Sequence, residues 1–77
     1  MSVSFDIPTI QMGQGILHLE HPNNNLPNGE IVELIYGDEQ DLKKVTVMML
    51  DGNRITIDVN ELYAYVYKNG GYWLCGL

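Results

Sequence analysis

Seventy-seven residues, 45% of them hydrophobic, can bury one small core and no more. A net charge of -6 sets the surface against phosphate backbones, so direct nucleic-acid binding is not expected. A single cysteine, Cys75, rules out an internal disulfide, and no apolar run approaches the length of a membrane span.

The first residues carry neither the basic region nor the apolar stretch of a signal peptide. With the lone cysteine, this points to a reducing, cytoplasmic setting. Residues 3–10 alternate apolar and polar through Ile7, but Pro8 has no N–H to give a ladder. Residues 1–15 therefore read as an extended arm or an edge strand, and 16–77 as the core of one small β domain. Gly13 and Gly15 are too few for a dinucleotide fingerprint, and no helical pattern follows them. A short strand is expected from Ile16 to Glu20. The run His-Pro-Asn-Asn-Asn-Leu-Pro-Asn-Gly over 21–29 is the longest loop and the expected flexible region.

Residues 30–36 read as a central strand, apolar on both faces: Ile31 and Ile35 against Val32, Leu34 and Tyr36. An acidic turn follows over 37–44, where Asp38 can cap a single helical turn and Glu39 can pair with Lys43. Next come two alternating stretches around Asp51-Gly52-Asn53, the strongest hairpin signal in the chain. Parity sets the pairing. A two-residue loop puts Val47 opposite Thr56 and mixes the faces. A three-residue loop centred on Gly52 sets Met49 against Ile55, Val47 against Ile57 and Val45 against Val59. This reading buries Val47 and Ile57 and exposes Thr46 and Asp58.

After a sharp turn at Asn60-Glu61, residues 62–67 read as another strand. Asn69-Gly70 then makes a second hairpin that pairs Tyr67 with Tyr72 and Val66 with Trp73. One face of that hairpin carries Tyr63, Tyr65, Tyr67 and Tyr72. No helical period is read beyond about one turn. The expectation is an all-β antiparallel meander of five to seven short strands. Its order of strand, long loop, strand, acidic loop, hairpin, sharp turn and strand resembles an SH3-like barrel over 16–67, on patterning rather than on any diagnostic motif.

Few constellations suggest chemistry. His18 and His21 lie three apart, which on a strand sends them to opposite faces, and no third ligand stands near. Asp38, Glu39 and Asp41 lack the spacing of a calcium loop. Cys75 has no base beside it in sequence. Neither an enzyme nor a bound metal or cofactor is expected.

Two surfaces carry the functional expectation. Residues 1–42 hold seven carboxylates and no Lys or Arg, whereas 43–77 hold three acids and four bases. Glu33, Asp38, Glu39 and Asp41 are the expected acidic patch, suited to a protein partner with a basic surface. Tyr63, Tyr65, Tyr67 and Tyr72 are the expected aromatic face, for self-association, a partner, or burial beneath the N-terminal arm. In size and charge the chain resembles small phage-encoded inhibitors that occupy a basic nucleic-acid-binding or defence protein, which implies a non-enzymatic, acidic protein-binding module. The alternatives are a homo-oligomeric assembly component, such as a homodimer, using the tyrosine face, and a sponge or sensor whose 21–29 loop closes on a small molecule.

Overall fold

The computed structural model describes residues 15–74. Residues 1–14 of the expected 1–15 arm, and Cys75, lie outside the described residues. Five strands and one helix follow in order: β1 (Ile16–Leu19), β2 (Gly29–Tyr36), β3 (Leu42–Met48), β4 (Arg54–Asp58), α1 (Val59–Asn69) and β5 (Gly71–Trp73). The strands form one antiparallel sheet in the order β4-β3-β2-β1-β5. The fold is thus mainly β. The sheet is not closed into a barrel, because β4 and β5 stand at opposite edges.

The β3–β4 hairpin has the expected parity and a different register. Val45 lies opposite Ile57, Thr46 opposite Thr56 and Val47 opposite Ile55, so the loop runs over residues 49–53 and centres on Asp51, not Gly52. Asp51 explains the longer loop. Its carboxylate accepts the Asn53 N–H at 2.9 Å and the Asn53 side-chain amide at 3.0 Å, a local turn that uses the chain's own side chains. Gly52, at φ 92°, supplies the positive φ. A two-residue shift preserves which side chains face the core, and Val45, Val47 and Ile57 are buried. Asp58 is exposed as expected, but Thr46 is buried. Its hydroxyl is satisfied on both sides, by Glu33 Oε1 at 3.3 Å and by the Thr56 hydroxyl at 3.1 Å.

A bulge at Val32 changes which residues of β2 face inward. Ile31 pairs with Val47 and Glu33 with Thr46, leaving Val32 unpaired between them. Ile31 and Leu34 therefore join the core, and Glu33 faces away from it. The 21–29 loop is tied down by its asparagines. Asn23 Oδ1 accepts the N–H groups of Asn25 and Leu26 at 2.8 and 2.9 Å. Asn28 Oδ1 accepts from Leu19 N at 2.6 Å. Leu26 is driven into the core between these anchors.

The main correction concerns residues 59–69, which form α1 rather than a strand and half of a second hairpin. Asp58 caps the helix, Glu61 sits in the first turn and Lys68 in the last, each favourable toward the helix dipole. Val59 and Leu62 are buried, and Val66 packs against the same core one turn further on. Gly70, at φ 89°, stops the helix and donates its N–H to Val66 O at 2.8 Å. Because the helix takes up the length between β4 and β5, Gly71–Trp73 reaches the far edge and pairs with β1. Leu17 faces Trp73, and His18 faces Tyr72. The core lies between α1 and one face of the sheet. It comprises Leu17, Leu19, Leu26, Ile31, Val45, Val47, Ile57, Val59 and Leu62.

Candidate functional site

The β2–β3 connection projects three of the four expected acids from one end of the sheet. The turn closes through Gly37 N to Asp41 O at 2.8 Å and Gln40 N to Gly37 O at 3.0 Å, with Gln40 in the left-handed region at φ 61°. These bonds leave the side chains of Asp38, Glu39 and Asp41 exposed, and with Lys43 they line an open concavity of about 280 Å³. Lys43 is the residue that bulges out of β3, between the pairs Ile35–Lys44 and Tyr36–Leu42. Its ammonium lies 2.9 Å from the Asp41 carboxylate. A hydrogen bond from Lys43 holds the Asp41 carboxyl below its usual range, and the same bond raises the Lys43 ammonium. Asp38 and Glu39 have no such counter-charge within the turn. The net effect is a tip bearing one neutralised carboxylate and two uncompensated ones.

Glu33, the fourth expected member, stands apart from this tip. It faces outward from the middle of β2, where its carboxylate accepts from Thr46. Thr46 has one hydroxyl proton and gives it to Glu33, so Thr56 is the donor in the Thr46–Thr56 contact. Glu33 anchors a polar row across β2, β3 and β4 and is not part of the turn's concavity.

The four tyrosines do not share a face. Helical spacing keeps Tyr63 and Tyr67 on one side of α1 and turns Tyr65 away from them. Tyr63 packs against Trp73 with ring centroids 5.0 Å apart, and Tyr67 is 95% exposed. The Tyr65 hydroxyl donates to the carbonyl of His21, pinning the helix to the 21–29 loop. Tyr72 lies on the opposite face of the sheet, its ring 5.1 Å from that of His18. Burial, then the Glu20 carboxylate, pushes the Tyr72 phenol above its usual range. What the aromatic residues build is the Tyr63–Trp73 pair between α1 and β5, with Tyr67 exposed one turn further along the same side of the helix. A capping signal was available in the sequence: Asp58 followed three residues later by Glu61, with Val59, Leu62 and Val66 spaced for one helical face.

His18 and His21 are separated by their roles, one packed at a tilt against Tyr72 and the other exposed in the loop. Among the described residues no three His, Cys, Asp or Glu side chains are grouped to hold a metal ion. No helix among them is long and apolar enough to cross a membrane. The site thus defines a small, mainly β domain with an acidic turn at one end and an aromatic helix edge. Comparison with protein-family models, curated proteins and solved structures finds no match to this chain.

Proposed function

We propose that this chain is a non-enzymatic protein-binding module that engages a basic partner through the β2–β3 turn. The observation that carries this reading is the geometry of Asp38, Glu39 and Asp41. One tight turn presents all three, and the adjacent cation, Lys43, is committed to Asp41 alone. Exposed carboxylates of this kind act mainly on encounter rate and partner choice, and salt screens them beyond about 10 Å at 0.1 M. Occupying the basic cleft of a nucleic-acid-binding or defence protein, as a phage-type inhibitor does, is the specific form of this activity that we favour. A reducing cytoplasmic setting belongs to the same reading. The strand order supports reading the architecture as an opened SH3-like barrel, a four-strand meander whose fifth strand returns beside the first.

The test is capture of a specific partner by the purified chain, repeated at low and high salt with an Asp38→Lys, Glu39→Lys variant. The expected result is binding that weakens steeply with salt and is lost in the variant, whose melting temperature stays within a degree or two of the parent. Unaltered binding by the variant at low salt removes the acidic turn from the function. A second reading, an assembly component, is favoured by the exposure of Tyr67 beside the Tyr63–Trp73 pair.

A further inference from the structure

Strand β4 is a sheet edge with a self-complementary sequence. It pairs with β3 on one side, and no strand among the described residues pairs with it on the other. Arg54, Thr56 and Asp58 are all exposed. Met49 N donates to Asn53 O at 2.9 Å, which sets the alternation of the ladder and makes Val47–Ile55 and Val45–Ile57 the hydrogen-bonded pairs. The main-chain N–H and C=O of Arg54 and Thr56 therefore point away from β3, into the open side of the edge. The helix does not cover them, because it leaves β4 at Val59 and crosses the core face toward β5.

Exposed edges are usually guarded by charges that repel another strand. Here the charges attract. Turned about a twofold axis through Thr56, the run Arg54-Ile55-Thr56-Ile57-Asp58 sets Arg54 opposite Asp58 of a second copy, Ile55 opposite Ile57 and Thr56 opposite itself. Arg54 makes no ion pair among the described residues, so its charge is available for that contact. The half-buried Ile55 gains cover on the core face. The Thr56 hydroxyl already gives its proton inward to Thr46 and makes no donor demand at the seam. The other edge is a poorer match. β5 has three residues, begins at Gly71 with φ 131°, and would meet β4 in parallel, giving an open-ended chain of copies rather than a closed pair.

We propose that β4 is a homodimerisation edge, joining two copies antiparallel about Thr56 into one continuous ten-stranded sheet. The Thr56 residues exchange both main-chain hydrogen bonds, and two symmetric Arg54–Asp58 pairs fix the register. The seam is short, so a dissociation constant on the order of 10–100 µM is expected.

Two measurements test this on the full chain. Sedimentation across a concentration series should show a monomer–dimer equilibrium. Arg54→Glu places like charges at both symmetric contacts and should weaken it roughly tenfold or more. Adding Asp58→Asn removes the repulsion, keeps a capping side chain, and should recover part of the loss. Tyr67→Ser should leave the dimer intact, which separates this seam from the aromatic edge. Amide hydrogen exchange supplies the second readout, since the outward Thr56 N–H should exchange more slowly as protein concentration rises. A monomer at every concentration, a dimer indifferent to Arg54→Glu, or Thr56 exchange independent of concentration each overturns the proposal.

Discussion

The Asp58 carboxylate accepts the main-chain N–H of Asn60 at 2.9 Å, and that bond converts the end of a strand into the start of a helix. The same oxygen takes the Glu61 N–H at 3.3 Å. Helix N-termini leave main-chain donors unsatisfied, and a carboxylate there serves both the hydrogen bonds and the dipole. Asp58→Ala should destabilise the protein by about 0.5–2 kcal/mol, and Asp58→Asn should cost much less. Chemical denaturation of the three proteins checks this. Equal stability of Asp58→Ala and the parent would mean the cap is idle.

Leu62 is fully buried one turn beyond that cap and joins the helix to Val45, Val47 and Ile57. Leu62→Ala should cost about 2–5 kcal/mol, a large part of the stability of so small a domain. Ile57→Ala, from the opposite wall of the same core, should fall in the same range. Tyr67→Ser, on the exposed side of α1, should change stability by no more than about 0.5 kcal/mol. Thermal melts should therefore set the two core variants well below the parent, with Tyr67→Ser beside it.

Gly29 opens β2 where no side chain fits. A Cβ there would stand 2.4 Å from the Met48 carbonyl oxygen and 2.7 Å from Val47 Cγ1. The first of these is backbone of a paired strand and cannot move aside without disturbing the β2–β3 ladder. Gly29→Ala should destabilise by about 1–3 kcal/mol. A Gly52→Ala control meets no neighbour, and its cost comes from the positive φ alone.

The Asp41–Lys43 pair has a defined pH signature. Asp41 titrates below the usual 3.8 because Lys43 hydrogen-bonds its charged form. A depressed carboxyl contributes its stability above the unfolded value and loses it as pH falls through the folded one. Lys43 titrates above the usual 10.5, so its contribution is complete below that value and is lost as pH rises through the folded one. Both side chains are about half exposed, at 55% and 50%, and the pair acts on the shape of the turn more than on global stability. Carboxyl NMR titration should show Asp41 depressed in the parent and returned toward the usual range in Lys43→Met. An unmoved Asp41 would mean the pair does not form in solution.

Several features were already decided by the order of residues. Alternation around Asp51-Gly52-Asn53 required an odd-numbered loop, because an even one would mix the valines of β3 with the outward residues of β4. Placing every base after residue 42 made the β2–β3 turn acidic at its tip, and turn formers at 21–29 and 37–41 punctuated the strands. Tertiary structure decided the rest. Loops of three and five residues preserve the same faces, so parity could not separate them; the Asp51 carboxylate, bonded to Asn53, selects the longer one. The tyrosines and valines of 59–69 satisfy a strand pattern locally. A helix places Val59, Leu62 and Val66 together on the sheet, and it carries the chain across to the edge where Trp73 meets Leu17. The bulge at Val32 and the burial of Thr46 have the same origin. Side-chain periodicity states which faces are possible, and only the packing of β2 against β3 and of α1 against β3, β4 and β5 determines which face meets the core.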